Sequence, residues 1–267
     1  MGHGVGGALW RVQSADGNWC VKLRTDDPQM LLAEADGLQA LSACRALRVP
    51  QLLAAEERDG GAYLLMEWLD FGGKTAPGAA QLGARLAAQH RNLGARFGWR
   101  RNNFIGATPQ FNTPSDEWAV FYREHRLGFQ LQLAAENGYR GALQEQGARL
   151  LESLPEFFTG YRPQPSLLHG DLWAGNWGVL ATGAPVIFDP AVYYGDREAD
   201  LAMTELFGGF SPEFYSAYDA VWPHAAGYRA RRDLYNLYHV LNHLNLFGES
   251  YYPQALEMMR GLNVQIR

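Results

Sequence analysis

Three polar residues follow short apolar segments in the second half of the chain, and their types suit one kind of chemistry. Asp171 and Asn176 come after the apolar residues 167–168, and Asp189 comes directly after the apolar residues 186–188. A carboxylate can orient an attacking hydroxyl and accept its proton, while a carboxamide and a second carboxylate offer hard oxygen ligands for Mg²⁺. This set predicts phosphoryl transfer, with Asp171 as the base and Asn176 and Asp189 as metal ligands.

The spacing of these residues supports the same chemistry. His169, Asp171 and Asn176 form the pattern H-x-D-x-x-x-x-N. An apolar strand that ends in aspartate follows this pattern. The combination has the spacing of a kinase catalytic loop and its metal-binding aspartate. Alone the pattern is weak, because His, Asp and Asn often cap helices or complete turns. A glycine-rich hairpin, a lysine and a helical glutamate precede it in the order that phosphoryl transfer needs, which makes coincidence a poor explanation.

The two lysines are informative because the chain almost never uses this residue. Of 23 basic residues, all but Lys22 and Lys74 are Arg. Lys22 interrupts an apolar strand pattern, where a compact ammonium could bind phosphate, although codon usage that spared a few lysines explains it equally well. Lys74 lies in a Gly/Pro-rich loop, and for this lysine we expect codon usage to be the whole explanation. Glu34 lies beside the apolar stripe of a predicted helix, where it could pair with Lys22 or be an ordinary solvated carboxylate.

The first seventy residues predict a small antiparallel sheet with one helix. A glycine-rich loop at residues 4–7 precedes strands expected at 8–13 and 19–24. A proline at position 28, behind two aspartates, predicts a helix start. The last strand, expected at 62–69, ends in three residues whose backbone groups could meet an adenine, namely Glu67, Trp68 and Leu69. An ordinary buried strand has the same composition.

Residues 71–80 have the composition of a linker, since they are rich in Gly, Ala and Pro and offer few apolar anchors. We therefore expect an α+β fold with two lobes, a nucleotide-binding lobe at 1–70 and a larger, mainly helical lobe at 81–267. Helices of the larger lobe are expected at about 79–95, 115–137, 141–154, 212–222, 228–247 and 253–262, around one strand-like region at 166–190.

Three further motifs have better structural than chemical explanations. The D-F-G at residues 70–72 precedes the H-x-D pattern instead of following it, so a linker turn explains it better. His239 and His243 lie four apart on a predicted helix, but without the glutamate and third ligand of a zinc protease we expect a core or cleft pair. Asp196 and Asp200 lie where a helix begins, which predicts a scaffolding role at its N-terminus.

Composition and charge limit the expected partners and location. A formal charge of −5 disfavours general nucleic-acid binding, which needs clustered Lys and Arg. No apolar run approaches the roughly 20 residues of a membrane helix, and the N-terminus lacks a signal-peptide pattern. We expect a cytoplasmic protein without nucleic-acid or membrane partners.

Longer stretches resemble the fructosamine kinase, or ketosamine 3-kinase, family. The matching segments are 169–176 (HGDLWAGN), 187–191 (IFDPA), 193–198 (YYGDRE), 200–210 (DLAMTELFGGF), 103–110 (NFIGATPQ) and 241–248 (LNHLNLFG). They span nearly the whole chain, whereas aminoglycoside phosphotransferases and choline kinases share only the sparser skeleton.

The resemblance implies a bilobal protein-kinase-like fold and ATP- and Mg²⁺-dependent phosphorylation of the 3-hydroxyl of a small-molecule or protein-linked ketosamine, as part of deglycation. By position it implies the base Asp171, the magnesium ligands Asn176 and Asp189, the phosphate-binding Lys22 with its partner Glu34, and a hinge at Glu67, Trp68 and Leu69. His169 and Trp173 are candidate substrate contacts. An exposed ring at Trp173 could cover a sugar, but packing explains it equally well.

Two other functions would use the same residues. One is phosphorylation of an aminoglycoside or an amino alcohol. The other is a nucleotide-binding regulator without chemistry, suggested by the N-terminal residues MGHGVGG, which depart from the family's glycine-rich loop. Monomer and homodimer both stay open.

Overall fold

An antiparallel sheet makes up most of the N-terminal part of the chain. The structure is a computed structural model that describes residues 3–4, 7–15 and 17–265. Over these ranges, the sheet of the N-terminal part contains five strands, and their order in it is β1-β2-β3-β5-β4. Their bounds are β1 (His3–Gly4), β2 (Gly7–Ser14), β3 (Gly17–Arg24), β4 (Leu52–Arg58) and β5 (Gly61–Glu67). The predicted small sheet is confirmed, while residues 5, 6 and 16 of the predicted glycine-rich loop and first turn lie outside the described residues.

Helix α1 (Pro28–Cys44) packs against this sheet. The Asp27 carboxylate accepts a hydrogen bond from the N–H of Gln29, and Pro28 occupies the first turn, as the sequence predicts. The buried residues Leu31 and Leu38 face the strands. Glu34 lies between them in sequence at helical spacing, so its carboxylate reaches the same side.

The rest of the chain is mainly helical. Its helices are α2 (Ala76–His90), α3 (Trp118–Tyr122), α4 (Phe129–Glu136), α5 (Ala142–Ser153), α6 (Arg197–Glu205), α7 (Pro212–Val221), α8 (Tyr228–Phe247) and α9 (Tyr252–Gln265). A π-helical turn, Arg123–Gly128, joins α3 to α4. Helix α2 begins three residues earlier than expected, because the Thr75 hydroxyl accepts a hydrogen bond from the N–H of Gly78 and caps it there. Among the described residues no helix is long and apolar enough to cross a membrane.

Short strand pairs interrupt the helices and carry the polar residues of interest. Strand β8 (Ser166–Leu168) pairs with β11 (Tyr193–Gly195), and β9 (Trp177–Val179) pairs with β10 (Pro185–Ile187). The loop 169–176 therefore connects β8 to β9, and Asp189 follows β10. A further hairpin of β6 (Asn103–Ile105) and β7 (Thr108–Gln110) was not expected, because strands of three residues leave little periodicity in a sequence.

Candidate active site

One ammonium and two carboxylates meet beneath the sheet. Lys22 Nζ lies 2.6 Å from Glu34 Oε1 and 2.6 Å from Asp189 Oδ1. Strand β3 supplies the lysine, α1 the glutamate, and the segment after β10 the aspartate. Burial by itself would lower the pKa of Lys22, but the two carboxylate charges outweigh it and raise the pKa above its usual value. Lys22 is therefore held as a cation between two carboxyl groups.

The backbone of Asp189 adopts a conformation that few residues other than glycine take. Its φ is 57°, in the left-handed region, which costs free energy for a residue with a Cβ. Hydrogen bonds fix both flanks, since the Phe188 N–H donates to the Asn176 carbonyl at 3.0 Å and the Ala191 N–H donates to the His169 carbonyl at 2.8 Å. The Asp189 side chain is left 48% exposed and reaches Lys22.

Asp171 and Asn176 lie in contact. Asn176 Nδ2 donates to the Asp171 carboxylate at 3.0 Å and to the Asp171 carbonyl at 2.8 Å, and Asn176 Oδ1 accepts no hydrogen bond from the part of the chain that the structure describes. Burial, together with the negative charge of Asp189, raises the pKa of Asp171 to about 7, although the hydrogen bond from Asn176 opposes this. A carboxylate with a pKa near neutrality is well matched to accept a proton.

A cavity of about 490 Å³ connects these groups. All the polar residues described above line it, namely Lys22, Glu34, Asp171, Asn176 and Asp189. Phe104 and Gly106 of the β6–β7 hairpin and Trp173 also line it. Residues that are up to 167 positions apart in the chain therefore share one cavity.

Comparisons with known proteins place the chain in a family. A family model described as fructosamine kinase matches residues 2–265. The chain belongs to the fructosamine kinase family. It is 48% identical over 233 residues to a probable ketoamine kinase of Synechocystis sp., covering 87% of this chain and 78% of that protein. It is also 44% identical over 251 residues to a chloroplastic protein-ribulosamine 3-kinase of Arabidopsis thaliana, covering 92% and 76%.

Solved structures show the same fold. A putative fructosamine-3-kinase from Thermobifida fusca has a TM-score of 0.88 at 34% identity, covering 99% of this chain and 92% of that one. An aminoglycoside phosphotransferase in a ternary complex with ADP and hygromycin B has a TM-score of 0.67 at 12% identity, covering 100% and 91%, which bears on the fold alone. The family and the protein-kinase-like fold expected from the sequence are confirmed.

Some residues proposed for the site in this member of the fructosamine kinase family do not line the cavity. Glu67 forms an ion pair with Arg48 at 2.6 Å. The Trp68 N–H donates to the Asn18 carbonyl at 3.2 Å, and its indole donates to Asp70. These residues and Leu69 lie at or just beyond the end of β5, outside the cavity wall.

His169 also lies behind the cavity. It is fully buried, its Nε2 donates to the Phe188 carbonyl at 3.0 Å, and its Nδ1 accepts from the Asp171 N–H at 3.2 Å. Burial lowers the pKa of His169, so the ring is neutral and both nitrogens are occupied. The histidine therefore holds the flanks of Asp171 and Asp189 and does not touch the cavity, in contrast to its expected contact with a substrate.

Trp173 does line the cavity and is 41% exposed. Its ring lies so close to residue 175 that a Cβ there would be 2.2 Å from a ring carbon, so a larger residue at that position would displace the ring. The location of Trp173 is compatible with both roles expected from the sequence, which are to cover a sugar and to pack against the protein.

Asp200 has a role at the site that the sequence did not suggest. The aspartates were expected at a helix start, and Asp196 does cap α6. Asp200 lies in the first turn of the same helix, as expected, and it also accepts hydrogen bonds from the backbone N–H groups of His169 at 2.7 Å and Gly170 at 2.9 Å. Gly170 has φ = 82°, and a Cβ there would lie 2.0 Å from the Ala191 carbonyl oxygen. A buried carboxylate and an obligatory glycine thus fix the turn before Asp171.

The β6–β7 hairpin also supports the segment after Asp189. Asn103 Nδ2 donates to the Val192 carbonyl at 2.7 Å, and Gln110 Nε2 donates to the Ala191 carbonyl at 3.1 Å and to Asn103 at 2.8 Å. All of these groups are buried. The hairpin was noted only as part of the family resemblance, and its amides hold the cavity wall together.

Proposed function

We propose that the chain is a kinase that transfers the γ-phosphoryl group of ATP to the 3-hydroxyl of a ketosamine, a ketose sugar joined to an amine. The convergence of Lys22, Asp171, Asn176 and Asp189 on one cavity carries the proposal. Family membership supports the substrate class, and the name of the Arabidopsis relative supports the 3-hydroxyl. The division into lobes 1–70 and 81–267 with a linker at 71–80 is part of the same proposal.

Lys22 binds the phosphates of the nucleotide in this mechanism, and Glu34 holds its ammonium in place. The ion pair at 2.6 Å supports this role, because it holds the lysine side chain, which would otherwise sample many rotamers. The adenine lies toward residues 67–69, at the end of β5, which is the strand that pairs with β3 and places Leu64 opposite Lys22. Backbone groups there would bind the base.

Asn176 and Asp189 are the residues that would hold Mg²⁺, and their chemistry fits it. Each offers a carboxamide or carboxylate oxygen, the ligand type that Mg²⁺ prefers. Within the described residues no cluster of three or more His, Cys, Asp or Glu could hold a metal, which suits an ion that takes one or two carboxylates and completes its shell with phosphate oxygens and water. The bound ion would neutralise charge on the transferring phosphoryl group.

Asp171 orients the sugar hydroxyl and accepts its proton as the oxygen attacks phosphorus. Its raised pKa suits a proton acceptor near neutral pH. Because the phosphoryl transition state is loose, catalysis depends on position and charge, which Asp200 and His169 provide by fixing the loop.

The test is mass spectrometry of products after incubation with ATP, Mg²⁺ and ribulose-, erythrulose- or fructose-lysine, with an aminoglycoside and choline as further acceptors. A phosphorylated ketosamine is expected, and Asp171→Asn should reduce its formation by about 10² to 10⁴-fold, because proton acceptance is lost. Thermal stabilisation by ATP should persist in that variant.

Two results would contradict the proposal. Turnover retained by Asp171→Asn would exclude the assigned base. Phosphorylation confined to the aminoglycoside or choline, or binding of ATP with no product from any acceptor, would instead support one of the alternative functions.

A further inference from the structure

The linker lies directly against the segments that carry the polar site residues. The Gly72 N–H donates to the Val179 carbonyl at 2.8 Å, and the Ala181 N–H donates to the Asp70 carbonyl at 2.9 Å. The linker backbone is thus bound alongside β9. The D-F-G motif that the sequence explained as a turn is therefore attached to the strand that follows Asn176.

Phe71 extends this attachment to the second segment. Its ring meets Phe188 edge-on at a centroid distance of 5.6 Å, and Phe188 directly precedes Asp189. A Cβ at residue 178 would lie 2.6 Å from the Phe71 ring, so the contact with β9 is close. The linker therefore contacts the chain shortly after one proposed metal ligand, Asn176, and directly before the other, Asp189.

Lys74 makes the polar contact of this linker with the loop itself. Its Nζ donates to the Ala174 carbonyl at 2.5 Å and lies 4.5 Å from the centre of the Trp177 ring. Ala174 stands between Asp171 and Asn176, and Trp177 follows Asn176. Lys74 is an exposed residue, and partial burial of its ammonium lowers the pKa of Lys74.

The loop between Asp171 and Asn176 is bonded at its ends to His169 and Phe188, and within itself by two backbone hydrogen bonds. The Trp173 N–H donates to the Asp171 carbonyl at 3.1 Å, and the Asn176 N–H donates to the Trp173 carbonyl at 3.0 Å. These bonds set the shape of the turn but not its position relative to the sheet. The hydrogen bond from Lys74 fixes the position of the loop relative to the sheet, because the linker that carries Lys74 continues directly from β5.

We infer that Lys74 is a positioning residue, whose ammonium holds the Ala174 carbonyl and thereby fixes the loop that carries Asp171 and Asn176. The inference rests on the proposed kinase function. Both lysines of a chain that otherwise uses Arg then act at the site, one on the phosphates and one on the loop. Hydrogen bonds from charged donors are among the stronger ones in proteins, so this contact is able to restrict the loop.

The test compares Lys74→Met, which keeps the length of the side chain without its charge, with Lys74→Arg and with Arg85→Met. Arg85 is an exposed cation on α2 and controls for the change in net charge. In Lys74→Met we expect kcat to fall about tenfold, KM for ATP to stay within about twofold, and the melting temperature to change little. Lys74→Arg should recover most of kcat, and Arg85→Met should match the unsubstituted protein.

Hydrogen exchange provides a readout that does not depend on activity. Amides in peptides covering residues 172–180 should exchange faster in Lys74→Met than in Arg85→Met. Unchanged exchange there, or an unchanged kcat, would overturn the inference. If the unsubstituted protein phosphorylates no acceptor, the proposed function fails, while exchange still decides whether Lys74 holds the loop.

Discussion

At the scale of single residues, the environment of Asp171 has an energetic cost. A pKa of about 7 means that the folded protein resists ionisation of this carboxyl more strongly than the unfolded chain does. The protonated form is therefore favoured in the fold. Its stabilising effect is fully present below the ordinary pKa of 3.8 and is lost as pH rises through about 7. Above neutral pH the protein holds a charge at the expense of stability, as sites for proton transfer often do.

Asp171→Asn should consequently stabilise the protein in a pH-dependent way. The substitution removes the charge but keeps the shape, so in the absence of nucleotide the melting temperature should rise by a few degrees at pH 8 and by less at pH 5, which lies nearer the lower end of this pH window. Thermal unfolding at both pH values measures this. Equal shifts at the two pH values would show that ionisation of Asp171 is not the cause.

At the scale of elements, a π-helical turn and a short hairpin form a rigid wall behind the cavity. Arg126, in the turn, is fully buried, and its guanidinium donates to the Asn112 side chain at 2.7 Å and the Phe111 carbonyl at 2.6 Å. It also lies 4.0 Å from the centre of the Tyr193 ring. Asn112 in turn donates to Asn103 at 2.9 Å. These contacts extend the amide network to the π turn, an element often found at functional sites.

Gln110→Leu should test that network. Gln110 donates to Asn103 and Ala191 and accepts from the Tyr238 hydroxyl at 2.9 Å, so leucine would remove three buried hydrogen bonds. Asn103 would still accept from Asn112, whereas the Ala191 carbonyl would lose its side-chain donor. At about 0.5–1.5 kcal/mol for each lost hydrogen bond and about 1–3 kcal/mol for a buried carbonyl left without its donor, we expect the free energy of unfolding to fall by at least about 2 kcal/mol. Urea denaturation measures it.

Gln132→Leu is the matched control for this substitution. Gln132 is exposed on α4 and bonds only to Glu136 among the described residues, so its loss should cost less than about 0.5 kcal/mol. Similar losses for the two variants would mean that the network adds nothing to stability.

The same elements separate what a sequence can predict from what it cannot. The order Lys22, Glu34, Asp171, Asn176 and Asp189 was recognisable because each residue has a fixed place relative to a strand end or a helix face. The contact of Asp200 with the N–H groups of His169 and Gly170 was not, since a carboxylate 30 and 31 residues downstream carries no local signal. The contact of Lys74 with Ala174, 100 residues away, is tertiary in the same way.

At the scale of the whole molecule, Lys22 joins the sheet to the helical part through Asp189. Nucleotide binding should depend on this lysine and not on the base. With ATP and Mg²⁺ at 100 times Kd the protein should gain about 2.7 kcal/mol, which raises the melting temperature by several degrees. Lys22→Met and Lys22→Arg should both lose most of that gain, because the methionine has no charge and the guanidinium cannot take the place of a compact ammonium.

Asp171→Asn is the control for the nucleotide measurement, and it should keep the full gain. Each variant is compared with its own melting temperature without nucleotide, which removes the effect of the substitution on the fold. An undiminished gain in Lys22→Met would contradict the assignment of Lys22 to the phosphates.

The most direct measurement is the position of the phosphate in the product. Ribulose-lysine treated with the protein, ATP and Mg²⁺ would be analysed by phosphorus and proton NMR. We predict a single phosphate ester on the 3-hydroxyl of the sugar. A phosphate on another hydroxyl or on the amine, or an acceptor recovered unchanged while known ketosamine kinases convert it, would contradict the account.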